Sequence, residues 1–153
     1  MVTILQQFLL ALFATFGFAI IFRVPKKLIP VSIIVGALGW ITYLIAVYYF
    51  DSPVIGCFIA ACLVGLCSTI AAYALKNATT VFIIPGILCL VPGAKIFYTM
   101  EALLRHDYAE MTETGVLTLM MAGAIAMGLL VMGACTGVVR ALVRKTVTLK
   151  DKL

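Results

Sequence analysis

The feature that most constrains this chain is a Pro-Gly pair that occurs twice within one membrane-length apolar run. The run covers residues 79–104 and contains Pro85-Gly86 and Pro92-Gly93. Proline has no N–H for the helical hydrogen bond and its ring clashes with the preceding turn, while glycine adds backbone freedom. We therefore predict that this run crosses the bilayer as a helix that is broken or kinked at Pro85-Gly86 and Pro92-Gly93.

Further apolar runs predict the rest of the fold. The chain has 153 residues, of which 65% are hydrophobic and 11% are charged, whereas a soluble domain is about a quarter charged. A membrane span needs roughly 20 apolar residues. We predict an all-α integral membrane bundle of five transmembrane helices. The domain organisation that we expect is a transmembrane domain over residues 1–142 and a short basic cytoplasmic tail over residues 143–153. The five runs cover about 3–22, 31–50, 53–75, 79–104 and 114–139.

The charged residues predict the orientation. Nine of the eleven basic residues follow the first, third or fifth run, whereas Asp51, Asp107, Glu110 and Glu113 lie in the opposite loops. By the positive-inside rule, the N-terminus lies outside and the C-terminus in the cytoplasm of a multi-pass cell-membrane protein. Because the basic residues flank helices and lack an aromatic platform, we expect them to contact anionic lipid and not nucleic acid.

Small residues at helical spacing predict which helices approach each other closely. The third run carries Gly56, Ala60, Ala61, Gly65, Ser68 and Ala72, and the last run carries Ala122, Ala126, Gly133 and Gly137. Such patterns let helix backbones approach in lipid. Between the last two runs, residues 105–113 are expected to form the longest outer loop.

The second Pro-Gly pair predicts a binding site. If a new half-helix starts there, the N–H groups of Gly93, Ala94 and Lys95 lack helical partners, and a helix N-terminus attracts anions. We assign Pro92, Gly93, Ala94, Lys95, Tyr98 and Thr99 as candidate substrate-binding residues and Pro85 and Gly86 as a structural hinge. A simple kinked helix without a ligand is the alternative, because membrane helices tolerate proline.

Two charged residues in the same run have open roles. Lys95 either contacts substrate, extends towards the outer interface, or pairs with Glu101, although a separation of six residues is a poor helical match. Glu101 is a possible proton carrier or ion-pair residue.

Motifs for other chemistry are missing from the sequence. It contains no Walker, GxSxG or HExxH motif, so an enzyme is not expected. The five cysteines lie in apolar runs, form no CxxC pair and have no nearby histidine, so we expect no metal site and no cofactor.

Three motifs in order resemble the threonine/serine exporter family. They are residues 17–25 (GFAIIFRVP), residues 36–40 (GALGW) and residues 91–100 (VPGAKIFYTM). The resemblance is to the short subunit, equivalent to the C-terminal half of the fused exporters. It implies a secondary exporter of threonine and serine that acts with a longer partner subunit, and it supports Pro92, Gly93 and Tyr98 as motif residues. Lys95 replaces a small or hydroxylic residue, which would suit a more anionic substrate.

Other functions remain open at this point. Some two-subunit relatives are associated with C4-dicarboxylate (succinate-like) efflux. A short chain with glycine-rich helices would also suit a pore-forming homo-oligomer, and a structural or regulatory subunit is a further possibility.

Overall fold

The computed structural model describes the backbone of residues 4–150 and the side chains of residues 4–137. Over this part of the chain the protein is helical and contains no strand. Four helices are long and apolar enough to cross a bilayer, and a pair bent by 48° makes a fifth span if it is counted as one. The predicted all-α membrane bundle is confirmed. The helices are α1 (Ile4–Ile21), α2 (Ile29–Phe50), α3 (Pro53–Leu75), α4 (Thr80–Leu88), α5 (Gly93–Leu104) and α6 (Tyr108–Lys150).

The ends of α2 and α3 follow from local chemistry. Pro53 starts α3, where a missing N–H costs no hydrogen bond. The Ser52 hydroxyl accepts a hydrogen bond from the Ile55 N–H at 3.5 Å, which is the N-cap arrangement. Asp51 and Lys76 terminate the two helices in the left-handed conformation, with φ of 48° and 51°.

The predicted outer loop over residues 105–113 is wrong, because α6 begins at Tyr108 and leaves only residues 105–107 between the helices. His106 adopts a φ of 58° and so ends α5. The Asp107 carboxylate then accepts a hydrogen bond from the Glu110 N–H at 3.1 Å. This N-cap starts α6 six residues before its apolar run. The side chains of the predicted basic tail, residues 143–153, lie outside the described residues.

Helix α3 lies at the centre of the bundle and contacts α2, α4 and α6. The small residues predicted to pack in this helix are all buried, which confirms that prediction. A Cβ added to Gly56 would lie 2.7 Å from the Val47 side chain of α2, and a Cβ added to Gly39 of α2 would lie 2.5 Å from the Val64 side chain of α3. The two antiparallel helices therefore touch along their length.

The packing predicted for the last helix is wrong within this chain. Ala122, Ala126 and Gly133 are exposed. The face of α6 that meets α3 instead carries Met121, Ile125 and Gly128, which are buried. These residues are four and three positions apart and so share one helical face. Both sets have helical spacing, and only the rotation of α6 about its axis selects between them.

The two halves of the fourth span belong to different parts of the bundle. Helix α4 contacts α1, α2 and α3, whereas α5 contacts only α6 among the described elements. The bend between α4 and α5 therefore lies where the packing of the span changes from one group of helices to the other.

Candidate functional site

Residues 89–92, which we call the break, separate α4 from α5. After α4, the Leu90 N–H donates to the Ile87 carbonyl at 2.8 Å and the Val91 N–H to the Leu88 carbonyl at 3.3 Å. These are tighter turns than those of an α-helix. Pro92 is buried and cannot donate, and its φ of −75° and ψ of 56° make an inverse γ-turn. The predicted interruption at Pro92-Gly93 is therefore present.

The first turn of α5 has two free backbone donors. The Gly93 N–H donates to the Val91 carbonyl at 2.7 Å, within the γ-turn, and the Ile96 N–H donates to the Pro92 carbonyl at 3.1 Å. Within the described residues, the N–H groups of Ala94 and Lys95 have no acceptor. Gly93 was expected to be a third free donor, and the γ-turn removes it. A helix start with two unpaired N–H groups attracts anions.

Lys95 and Tyr98 lie in the first two turns of α5, close in sequence to these donors. Lys95 is half-buried at the third position of α5, and it takes part in neither of the ion pairs among the described residues. Tyr98 lies one turn further along, half exposed, with its ring edge against Phe97 at a centroid distance of 5.8 Å. Pro92, Gly93, Ala94, Lys95 and Tyr98 are thus consecutive or one turn apart on the α5 side of the break.

Two other candidate residues face different partners. The Thr99 hydroxyl contacts the Lys95 carbonyl at 2.8 Å and the Thr114 hydroxyl of α6 at 3.1 Å, so it fastens α5 to α6. Glu101 pairs with Arg105 at 3.6 Å, and both side chains are about half exposed. An exposed pair one helical turn apart contributes little stability. The alternative pairing of Glu101 with Lys95 is absent among the described ion pairs.

The first Pro-Gly pair lies inside α4, which continues through it as one helix. Pro85 is fully buried. A Cβ added to Gly86 would lie 3.2 Å from the Val64 side chain and 3.5 Å from that of Val35. These residues seat α4 closely against α2 and α3, and their role as a hinge stays a prediction.

Sequence reasoning missed a polar contact between α1 and the break. The Thr15 hydroxyl is fully buried, donates to the Ala11 carbonyl at 2.7 Å and lies 3.2 Å from the Cys89 sulfur. Gly36 of α2 makes room for it, because a Cβ there would lie 2.5 Å from the Thr15 hydroxyl. A lone threonine in an apolar helix was the available signal, but its partner could not be read from spacing.

A second missed pair lies in a groove of about 300 Å³ that ends at the break. The Trp40 indole N–H of α2 donates to the side-chain oxygen of Gln7 in α1 at 3.2 Å. The groove lies between α1 and α4, and most of its wall is apolar. We call this cavity the α1–α4 groove; the residues that define it here are Gln7, Ala11, Phe18, Trp40, Leu88 and Cys89.

The chemistry available at the break is therefore that of hydrogen-bond donation. Two backbone N–H groups and the Lys95 ammonium lie on its α5 side, and the Gln7 and Trp40 side chains lie in the groove on its α4 side. In the part of the chain that the structure describes, no three His, Cys, Asp or Glu side chains gather as a metal site would require. The arrangement suits binding of a small solute with negatively charged oxygens.

Comparison with known proteins identifies the family to which this chain belongs. The sequence pattern of the Threonine/Serine exporter family, ThrE, matches residues 7–135, which include every helix that borders the break. An uncharacterized protein of Haemophilus influenzae is 25% identical over 141 residues, which are 87% of this chain and 48% of the relative. The chain thus spans about half the length of that relative. No solved structure gives a significant match. The chain is a multi-pass membrane protein that belongs to the threonine/serine exporter family.

Proposed function

We propose that this chain is one membrane half of a secondary exporter for small carboxylate-bearing solutes, with threonine and serine as the first candidates. The family membership supports transport of this type. The observation that carries the proposal is the break, where a membrane span is interrupted and two backbone N–H groups lack acceptors among the described residues.

The lengths of α4 and α5 support a site deep in the bilayer. The two helices have nine and twelve residues, which correspond to roughly 14 and 18 Å of rise. Together they match a hydrocarbon core about 30 Å thick, so the break would lie near its middle. Transporters of several folds use such half-helix starts to bind the carboxylate of a substrate.

The length of the relative supports the view that a complete exporter contains a second membrane half in addition to this chain. The chain covers 48% of the Haemophilus influenzae protein, and a bundle with an odd number of spans can pair with one of opposite orientation to form an inverted repeat. We propose that a longer subunit of the same family supplies that half. In this arrangement the N-terminus of our chain lies outside and its C-terminus in the cytoplasm.

A C4-dicarboxylate such as succinate is the second candidate substrate, and Lys95 favours it. This cation is half-buried three positions after the break and is absent from the ion pairs of the described residues. A charged side chain in a span is costly and marks a pathway for solutes or ions in many membrane proteins. An ammonium beside two N–H donors would suit a solute with a second carboxylate.

The experiment that tests the site is Ala94→Pro, because it removes one free N–H and leaves the helix start otherwise compatible. Proline is tolerated in the first turn of a helix, and α2 of this chain already carries Pro30 there. Ala94→Ser is the control, since it changes the side chain and keeps the N–H. The measurement is the release of threonine, serine and succinate from cells that carry this chain and the longer subunit.

The expected result follows from the strength of a charge-assisted hydrogen bond. Its loss costs about 1.5 to 3 kcal/mol, so the half-saturating concentration of the exported solute should rise roughly 10- to 100-fold in Ala94→Pro. Ala94→Ser should stay within a few-fold of the wild type. Equal export by the two variants at equal membrane levels would show that the break is not part of the binding site.

A further inference from the structure

The hydrogen bond with Trp40 determines which way the side-chain amide of Gln7 faces in the α1–α4 groove. The Trp40 indole nitrogen carries a hydrogen and can only donate. Its contact with Gln7 at 3.2 Å therefore requires the amide oxygen of Gln7 as the acceptor. The amide nitrogen of Gln7, with two N–H donors, must then point to the other side.

The amide nitrogen of Gln7 has no protein acceptor in the described residues. The hydrogen bond with Trp40 uses only the amide oxygen. The neighbouring surfaces of the groove are apolar and include Ala11, Phe18 and Leu88. A donor in such surroundings is unsatisfied unless a ligand or a water molecule accepts from it.

We propose that Gln7 is a specificity-determining residue of the exporter, with its amide nitrogen donating hydrogen bonds to a carboxylate of the solute in the α1–α4 groove. This inference rests on the function proposed above and adds α1 to the site. Trp40 acts as a positioning residue, because its N–H holds the amide in the donating orientation. The groove also borders Cys89, the first residue of the break.

The alternative is that Gln7 only accepts the hydrogen bond of the Trp40 N–H and does not contact the solute. Two variants separate these roles. Gln7→Glu keeps an oxygen that accepts from Trp40, but at pH 8 it replaces the two N–H donors with a charged acceptor. Gln7→Met has a similar volume and neither accepts from Trp40 nor donates.

Trp40 also provides the readout, because it is the only tryptophan in the chain. Incorporation of 5-fluorotryptophan gives one ¹⁹F resonance from this chain, next to Gln7. The labelled chain is reconstituted in nanodiscs with the unlabelled longer subunit at pH 8 and titrated with L-threonine and with succinate. In the wild type we expect a saturable shift of the resonance with at least one of these solutes.

The donor role predicts that both variants raise the half-saturating concentration at least tenfold, with Gln7→Glu at least as severe as Gln7→Met. The ligand-free resonance of Gln7→Glu should stay near that of the wild type, because the Trp40 hydrogen bond is kept. A half-saturating concentration for Gln7→Glu within twofold of the wild type would overturn the proposal. So would the absence of any shift in the wild type.

Export by the same variants in cells separates this inference from the proposed function. If cells with the wild-type chain and the longer subunit release none of the three solutes, the proposed function fails. If they export normally and Gln7→Glu exports equally well, only the role of Gln7 fails.

Discussion

Among single residues, we expect Lys95 to influence which solute the site prefers. Its ammonium follows the break by three positions and is half-buried. We expect Lys95→Ala to weaken succinate export more than threonine export, because a second carboxylate loses its cation, and Lys95→Arg to retain the wild-type preference. Competition between the two solutes in the export assay measures the ratio of succinate export to threonine export. An unchanged ratio in Lys95→Ala would indicate that the side chain only extends to the outer interface.

Contacts of individual side chains were the hardest feature to predict from the sequence. Thr99 and Glu101 are polar residues on α5, so both were reasonable candidates for the site. In the structure Thr99 is hydrogen-bonded to Thr114 of the next helix, and Glu101 forms an ion pair with Arg105, which directly follows α5. Their roles in the site stay predictions. Thr114 lies fifteen positions away from Thr99, and no local pattern indicates that the two hydroxyls meet.

Among the helices, α3 and α6 approach each other closely at Gly128. A Cβ on Gly128 would lie 2.8 Å from the Phe58 carbonyl oxygen and 2.9 Å from the Ala61 Cβ, so it would meet backbone that cannot move away cheaply. We expect Gly128→Ala to lower the free energy of unfolding by about 1 to 3 kcal/mol through overpacking.

Gly123 of the same helix is the matched control for this prediction, because nothing lies within 4 Å of a Cβ added there. Gly123→Ala should leave the stability unchanged or slightly higher, since alanine favours helix more than glycine does. Thermal unfolding of the purified variants in detergent measures both. Equal melting temperatures for the two variants would show that α3 and α6 do not approach as closely as described.

The position of the break could be predicted because its causes are local. Pro92 cannot donate to Leu88, and this holds in any tertiary context. The prediction could not distinguish the two Pro-Gly pairs, however, since Pro85-Gly86 has the same chemistry. Packing of α4 against α2 and α3 at Gly86 keeps that segment helical, whereas α5 lacks such contacts and departs in a new direction.

The charges at the helix ends predict how the bundle is oriented in the membrane. Arg23, Lys26, Lys27 and Lys76 lie at the end of the bundle where α1 and α3 finish, and Asp51 lies at the opposite end. The positive-inside rule then predicts that the first group is cytoplasmic.

Cysteine labelling in cells tests this orientation. In a background without the five native cysteines, a membrane-impermeant maleimide should label Asp51→Cys in intact cells. It should label Lys76→Cys only after the membrane is permeabilised. The reverse labelling pattern would show that the bundle has the opposite orientation. The free N–H groups of α5 would then lie in the half of the span nearer the cytoplasm.

The amino-acid sequence alone was enough to predict a multi-pass helical membrane protein and the segment in which one of its spans is interrupted. These properties depend on apolar length and on the backbone chemistry of proline, which act within a few residues. Which donors stay unpaired could be seen only in the folded chain. The γ-turn uses the N–H of Gly93, α6 uses the hydroxyl of Thr99, and Trp40 turns the amide nitrogen of Gln7 towards the α1–α4 groove. Two of these three outcomes depend on partners from another helix and on how that helix is rotated about its axis, which spacing along the chain does not encode.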